Sequence, residues 1–294
     1  MVVATLKRHM TPEDLTITVR DLRFGREEQT ARWWLNGNPY ETALYNALSA
    51  TFPKGEAHFV ESVRRFREAA DPRLAGEIKA FTTQEVIHSR EHSEFNKRAT
   101  EAGYDLSSLE ARVDESLELL AARPPIASLM STMCLEHFTA IIAHELLATP
   151  RHLAGADQAT ADMWRWHAVE EIEHKGVAYD TWLAATAGWP RFKRWKLKSM
   201  MMLLVTRNFV EHRTEGAIEL LRQDGLTGWR VFLRLQLTMW GRPGIFRKVA
   251  AAWLHFFLPR FHPWNKDDRA LIKGWEATYP YLQEAPRKRV RAAG

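Results

Sequence analysis

The sequence predicts an all-α protein with a four-helix bundle at its centre and additional helices toward the C-terminus. Between about residues 41 and 187, apolar residues recur at helical spacing, and segments such as TFPKGE, AGYDLSS and ARPP separate the repeats. Two Glu-x-x-His motifs lie within these helical segments. The chain has 294 residues, 46% of them hydrophobic, which is enough to bury a substantial core.

Three regions follow one another along the chain. Residues 1–40 predict an irregular entry region, in which the alternating segment LTITVRDLRF (residues 15–24) predicts a short strand and WLNGNPY predicts a turn. Residues 41–189 predict the helical bundle. Residues 190–294 predict a basic, tryptophan-rich helical region, with breaks at GWPR, DGLTG and GRPG, that packs on the bundle.

Charge is distributed unevenly between these regions. Residues 190–294 contain 21 Lys/Arg against 8 Asp/Glu, whereas residues 1–189 contain 20 against 28. Cations interspersed with Trp, Phe and Leu are typical of elements at a membrane surface, so peripheral membrane contact through this basic third is one partner hypothesis. We expect no nucleic-acid partner, because the chain has no recognisable binding module and no Gly-rich phosphate loop. A homodimer is a further partner hypothesis.

Cysteine usage and hydropathy indicate the compartment. Cys134 is the single cysteine, which excludes an intramolecular disulfide and fits a reducing environment. The N-terminal residues show no apolar segment typical of a secretory signal, and no uninterrupted apolar run approaches the roughly 18 residues of a spanning helix. We therefore expect a cytoplasmic protein, with attachment to the inner membrane surface as an alternative.

The two Glu-x-x-His motifs are the strongest chemical signal. QEVIH contains Glu85 and His88, and EEIEH contains Glu171 and His174. Residues three positions apart lie on one face of a helix, so each carboxylate and imidazole can reach the same ion. A bundle with two such motifs and one further carboxylate from each remaining helix can hold two metal ions.

The sequence supplies both further carboxylates. Phe59, Val60 and Val63 fall within about 60° of Glu56 on a helical projection, whereas Glu61 falls on the opposite side. Glu136 is likewise surrounded by apolar positions on its own helix. A buried carboxylate without a partner is costly, so both residues are candidate metal ligands, and Glu61 is the weaker choice.

Two histidines extend the candidate site. His167 shares a helical face with Glu171 and His174, which completes a set of four Glu and three His for two ions. His92 lies four residues after His88 and is either an eighth donor or a partner of a ligand. Glu170 is a less favoured substitute for Glu171. Cys134 is expected to be packed in the core rather than to act as a nucleophile.

Several of these segments resemble known families. NPYETALYNALSATFPKGEAHFVESVRRFRE, QEVIHSREHSEFN, LEHFTA, WRWHAVEEIEHKGVAYD and FHPW resemble the bacterial family of predicted metal-dependent hydrolases over most of the chain. The order Glu, ExxH, Glu, HxxxExxH is also similar to the ferritin-like di-iron oxygenases that act on aryl amines. That second resemblance implies a ferritin-like bundle and iron-ligand roles for the residues Glu56, Glu85, His88, Glu136, His167, Glu171 and His174.

Three functions are consistent with this pattern. The favoured one is a di-iron enzyme that uses dioxygen to oxidise or oxygenate a small, hydrophobic organic substrate, because flexible carboxylates tolerate changes in oxidation state. The alternative is a metal-dependent hydrolase with a metal-activated water. The second alternative is a non-catalytic metal-binding or membrane-surface protein. Iron is the favoured metal, and manganese and zinc are the other candidates.

Overall fold

The computed structural model describes residues 11–26, 29–242 and 244–283, and the regular structure in them is helical. The basic tail RKRVRAAG and residues 1–10 of the predicted entry region lie outside the described residues. Short 3₁₀ turns occur at Arg67–Ala69, Pro150–Leu153, Pro263–Asn265 and Pro280–Leu282. The α-helices are α1 (Pro39–Ser49), α2 (Phe52–Arg64), α3 (Pro72–Glu101), α4 (Ser107–Ala121), α5 (Pro125–Ala148), α6 (Gln158–His174), α7 (Val177–Ala185), α8 (Arg191–Gln223), α9 (Trp229–Trp240), α10 (Ile245–His255) and α11 (Arg269–Thr278).

Local sequence explains where the central helices begin. The side chain of Asp71 accepts a hydrogen bond from a backbone N–H in the first turn of α3, and Asp157 does the same for α6. Asn38 caps α1 in the same way. The predicted turn before α1 is present, and Asn36 and Gly37 adopt positive φ angles there, which Asn and Gly tolerate best.

Helices α2, α3, α5 and α6 surround the centre of the molecule. Helix α2 packs against α3 and α5, and α6 packs against the same two helices, so that the four form a closed ring. The predicted all-α class is confirmed. The specific ferritin-like arrangement stays a prediction at this point.

The predicted strand is wrong within the described residues. Residues 15–24 form no ladder with another segment. The chain is nevertheless held against the bundle, because the backbone N–H groups of Thr18 and Arg20 donate to the carboxylates of Glu173 and Glu170 on α6. The alternating sequence thus reflects an extended segment whose backbone is satisfied by helix side chains instead of a neighbouring strand.

Helix α5 corrects a second expectation. By length and composition, Pro125–Ala148 is apolar enough to cross a membrane, and 67% of its most apolar window is buried inside the protein. Counting only uninterrupted apolar runs missed it, because Glu136, His137, His144 and Glu145 divide the helix. Its hydrophobicity is explained by its position in the central ring, where several neighbouring helices cover it.

The C-terminal helices pack on this ring. Helix α8 contacts α1 and α5, α10 contacts α5, and α11 contacts α6. The exact division of the chain at residues 40 and 189 stays a prediction. The contacts of α10 and α11 with α5 and α6 give the basic third a direct role in holding the helices that carry the candidate site.

Candidate metal centre

The four central helices bring all seven predicted ligands into one buried group. Helix α2 contributes one residue, α3 two, α5 one and α6 three, and every residue in the group is at most 4% exposed. We call this group the Glu/His cluster. It consists of Glu56, Glu85, His88, Glu136, His167, Glu171 and His174.

The orientation of α2 confirms the inward position of Glu56. Its side chain is 1% exposed, whereas Glu61 on the same helix is 63% exposed and pairs with Arg65. Glu136 is equally buried on α5. Cys134, two residues earlier, is fully buried as expected, and burial raises the pKa of its thiol, so it is not poised as a nucleophile.

One half of the cluster is centred on His174. Its Nε2 atom lies 3.2 Å from Glu85 Oε1, 3.4 Å from Glu136 Oε2 and 3.5 Å from Glu171 Oε1. Three carboxylates from three helices therefore converge on one imidazole nitrogen. Candidate ligand atoms of Glu85, Glu171 and His174 all lie within 4.8 Å of one another, which is compact enough for one cation.

The other half involves His88 and His167. His167 Nε2 lies 2.8 Å from Glu171 Oε1 and 3.9 Å from Glu56 Oε1, and His88 Nδ1 lies 3.7 Å from Glu171 Oε1. Glu56, Glu85 and His88 form a second compact trio, and His88, His167 and Glu171 form a third. Glu85 and Glu171 thus take part in both halves of the cluster.

Partners outside the cluster fix two of its imidazoles. His88 Nε2 lies 2.9 Å from Glu170 Oε2, so that Nδ1 faces the cluster. His174 Nδ1 lies 3.0 Å from Oε1 of Gln84, so that Nε2 faces the cluster. Arg20 in turn pairs with Glu170. Hydrogen bonds of this kind orient metal-binding histidines and select their tautomer.

Sequence reasoning missed these partners or gave them another role. Glu170 was considered only as a substitute ligand, and the structure instead places it behind His88. Gln84 gave no signal except its position next to Glu85. Arg20 lies in a segment predicted as a strand, and only the fold brings it close to α6.

His92 has both ring nitrogens occupied. Its Nε2 lies 2.6 Å from His167 Nδ1, and its Nδ1 lies 2.8 Å from the hydroxyl of Ser49. Candidate atoms of Glu56, His92 and His167 also form a compact trio. The hydrogen bond nevertheless places His92 behind His167 as an orienting partner, because it occupies His167 Nδ1 and leaves Nε2 facing Glu171 and Glu56.

The electrostatics of the cluster are unfavourable without a cation. Burial raises the pKa of Glu85, and Glu136 and Glu171 raise it further through charge repulsion. Burial followed by repulsion from Glu171 also raises the pKa of Glu56 and of Glu136. Burial opposes ionisation of Glu171 too, but the nearby imidazoles outweigh it and lower its pKa. A divalent cation would compensate several of these carboxylates at once.

The unpaired atoms of the cluster fit bound metal. Both carboxylate oxygens of Glu56, Glu85 and Glu136 are buried without a hydrogen-bond partner among the described residues, as are His88 Nδ1 and His174 Nε2. Buried polar atoms in folded proteins almost always have partners. Here the unpaired atoms are all types that coordinate divalent cations and they point toward one another, so the donor set matches a metal site.

An apolar cavity ends at the cluster. Its volume is about 100 Å³, and its walls include His167 and Glu171. The other lining side chains are mainly aliphatic and aromatic, among them Leu48, Phe52, Ile142, Leu146, Trp164 and Phe246. A mostly apolar cavity with a few polar groups at one end is the usual form of a small-molecule site.

Comparison with known proteins identifies the family. Neither the curated proteins nor the solved structures contain a match to this chain. The profile of a family described as predicted metal-dependent hydrolase matches residues 18–267, which is most of the chain. The favoured expectation of di-iron oxidation or oxygenation is therefore wrong, because the match supports the hydrolytic alternative. Ligand types alone did not separate the two reactions, since Glu and His serve both. The chain belongs to the family of predicted metal-dependent hydrolases.

Proposed function

We propose that this protein hydrolyses a small, largely apolar substrate with a water molecule activated at two divalent cations in the Glu/His cluster. The observation that carries the proposal is the convergence of buried carboxylate oxygens and imidazole nitrogens that have no hydrogen-bond partner. The apolar cavity that ends at the same group supports a small-molecule substrate. Family membership supports hydrolysis over other metal chemistry.

Two cations are proposed because two carboxylates are shared. Glu85 belongs to the trio with Glu56 and His88 and to the trio with Glu171 and His174. Glu171 belongs to that second trio and also approaches His167. Carboxylates that reach two neighbouring positions can bridge two ions, as they do in helical-bundle di-metal sites. On this basis we also infer a ferritin-like arrangement of α2, α3, α5 and α6.

The cluster residues divide into holding and positioning roles. Bound divalent cations would supply Lewis acidity and lower the pKa of a coordinated water. Glu136 and His174 would bind a cation at the end of the cluster away from the cavity. His167 and Glu171 also line the cavity, so a substrate there would contact the cluster through these two residues. Phe52 and Trp164 exclude bulk water from this end.

Zinc and manganese are the proposed metals. Imidazole donors suit zinc, and a carboxylate-rich set suits manganese. Neither metal requires a redox step, which agrees with hydrolysis. The substrate bond is an ester, an amide or a phosphate ester, since these are the bonds that a metal-activated water attacks.

The first experiment measures metal content and hydrolysis on the same preparation. Protein reconstituted with zinc or manganese is assayed by plasma mass spectrometry and with p-nitrophenyl esters, anilides and phosphates of short alkyl chains. We expect about two metal equivalents per chain and turnover of one bond class. A Glu85→Ala, Glu171→Ala double variant should lose both the metal and the turnover, because it removes both shared carboxylates.

Glu61→Gln provides the matched control, because Glu61 is an exposed glutamate on a helix that also carries a cluster residue. It should bind metal and turn over substrate like the wild type. Absence of metal after reconstitution would contradict the metal centre itself. Full metal occupancy without turnover of any bond class would contradict hydrolysis and leave the metal centre standing.

We also propose that α9 contacts a membrane surface. Trp229, Leu233, Leu237 and Trp240 lie along one face of this helix and are exposed, although its opposite face is buried through Leu235. Arginines flank the exposed face, as in helices that lie on anionic membranes. Helix α9 also contributes Thr238 to the cavity wall, so the cavity lies close to the proposed membrane face. Cytoplasmic location and a homodimer stay predictions.

A further inference from the structure

Arg213 is a buried cation without an acidic partner. It lies on α8, is 5% exposed, and forms no ion pair with any residue in the described ranges. Its Nη1 atom donates to Thr51 Oγ1 at 2.7 Å and to the carbonyl oxygen of Leu48 at 3.4 Å. Its Nε atom is buried and has no hydrogen-bond partner.

Two other buried cations in the described part of the chain have acidic partners, whereas Lys198 donates to two carbonyl oxygens. Arg20 pairs with Glu170 and Glu173, and Lys175 pairs with Asp268 at 2.6 Å. Within the described residues, Arg213 donates only to neutral oxygens and lies over the ring of Phe209. Burial lowers the pKa of its guanidinium to about 9, with no carboxylate to offset that effect. A buried charge in this state is costly unless something else pairs with it.

The position of Arg213 indicates what that partner is. Its side chain lines the same apolar cavity as His167 and Glu171. Glu41 lines the cavity as well but forms no ion pair with Arg213. A molecule in the cavity therefore meets an unpaired guanidinium, apolar walls and the Glu/His cluster. Guanidinium groups bind carboxylate and phosphate oxygens through paired hydrogen bonds.

We propose that Arg213 binds the oxyanion of an amphipathic substrate whose hydrocarbon part fills the cavity and whose scissile bond lies at the Glu/His cluster. The substrate class is thus an ester or amide that carries a carboxylate or phosphate group besides the bond that is cleaved. This inference rests on the proposed function for the cleaved bond, but the recognition of an anion does not depend on catalysis.

Ligand binding tests the recognition without turnover. The ligands are octanoate, octyl phosphate and octan-1-ol, which share one alkyl chain and differ in the head group, and calorimetry measures their affinity for metal-reconstituted protein. We expect at least one anion to bind about 10-fold or more tightly than the alcohol, because a charge-assisted hydrogen bond is gained. The preferred anion tells a carboxylate substrate from a phosphate substrate.

Arg213→Gln should reduce that preference to about threefold or less and leave octanol affinity nearly unchanged, because only the charge-assisted contact is removed. Arg207→Gln is the control, since Arg207 is a highly exposed arginine on the same helix, and it should keep the wild-type preference. If Arg213→Gln does not fold, Arg213→Lys replaces it. Lysine keeps the charge but loses the paired geometry, so it should bind the anions more weakly than wild type and still favour them over octanol.

Three results would overturn the inference, two of them direct. One is equal affinity of wild type for the anions and octanol, and the other is an Arg213→Gln variant that keeps the full preference. An equal loss of affinity for all three ligands would show that Arg213 only braces Thr51 and Leu48, and would also overturn it. Anion preference without any hydrolysis would contradict the proposed function while leaving the anion site in place, and hydrolysis without anion preference would do the reverse.

Discussion

At the scale of single residues, the imidazoles of the cluster depend on what lies behind them. Glu170 Oε2 approaches His88 Nε2 at 2.9 Å, which leaves Nδ1 as the nitrogen that faces Glu85 and Glu171. Arg20 holds Glu170 from the other side through its backbone N–H and its guanidinium. The carboxylate therefore sets which nitrogen of His88 is available to a metal.

Replacing Glu170 should weaken metal binding without removing a ligand. We expect Glu170→Gln to lower metal affinity by about 10- to 100-fold, because the amide holds His88 less firmly and makes it a weaker donor. Competition with a chromogenic chelator measures the change. The exposed glutamate Glu61 on α2 supplies the comparison, and Glu61→Gln should bind like wild type. Equal affinity of both variants would show that Glu170 does not orient His88.

Lys198 should make stability depend on pH. Its Nζ donates to the carbonyl oxygens of Phe256 and Leu258, and burial lowers the pKa of its ammonium to about 8 from about 10.5. Between these values the folded protein has released the proton that the unfolded chain still binds. The contribution of this group to the free energy of unfolding therefore rises as pH increases from about 8 to about 10.5. It is lost again as pH falls through that range to the folded-state pKa of about 8.

The comparison of wild type with Lys198→Met isolates this effect from other titrating groups. The free energy of unfolding of wild type minus that of Lys198→Met should become more positive from pH 7.5 to pH 9.5, by at most about 1.4 kcal/mol per pH unit for one proton. Urea unfolding at fixed ionic strength measures it. A difference that stays constant with pH would mean that the ammonium remains charged in the folded protein.

What could be predicted at this scale followed from helical geometry. The inward positions of Glu56 and Glu136 were evident because their own helices place apolar residues around them. Arg213 could not be recognised, because its significance lies in an absent acidic partner, and that depends on which helices pack around α8. Gln84 was hidden for the same reason, since its partner His174 is 90 residues away.

At the scale of elements, helix α6 carries three of the seven cluster residues, and its end is fixed by the C-terminal third. Lys175 follows His174 directly and pairs with Asp268 at 2.6 Å, and both side chains are buried. Its ammonium also lies 4.1 Å from the centre of the Trp264 ring. The predicted C-terminal region thus does more than cover the bundle, because it holds the residue next to a candidate ligand.

Removing this pairing should destabilise the protein. We expect Asp268→Ala to lower the free energy of unfolding by about 3 kcal/mol or more, because it leaves Lys175 buried without its counter-charge. Asp267→Ala is the adjacent control, since Asp267 is exposed and its one ion pair among the described residues is with Arg269. It should change stability by less than about 0.5 kcal/mol. Chemical unfolding of the two variants measures both values, and similar stabilities would contradict the role of the pair.

The elements also show where sequence periodicity is ambiguous. Alternation in residues 15–24 indicated an extended chain correctly but implied a neighbouring strand that the described residues do not contain. The backbone instead donates to Glu170 and Glu173, and these carboxylates belong to a helix about 150 residues later. Helical spacing was more reliable for α3, α5 and α6, because a long repeat on one face has few alternative explanations.

At the scale of the whole molecule, α9 has an exposed apolar face and also contributes a residue to the cavity. Thr238 on α9 and Ile245 and Phe246 at the start of α10 line the cavity that also contains Arg213 and Glu171. If α9 lies on a membrane, the cavity lies close to the bilayer, which suits the amphipathic substrate proposed for Arg213.

The membrane prediction can be tested with α9 alone altered. A Trp229→Ser, Leu233→Ser, Leu237→Ser variant removes three exposed apolar side chains. It should bind vesicles that contain about 30 mol% phosphatidylglycerol at least about 10-fold more weakly than wild type. Binding of wild type should also weaken at high salt, because the flanking arginines act through charge.

The control for this variant is Leu119→Ser, since Leu119 is a highly exposed leucine on α4, away from α9. Its vesicle binding should equal that of wild type in a co-sedimentation assay. Activity on soluble substrates should be unchanged in both variants, because neither alters the Glu/His cluster. Equal vesicle binding by wild type and the triple variant would contradict membrane contact through the apolar face of α9, because burial of these side chains in lipid is the source of the predicted difference.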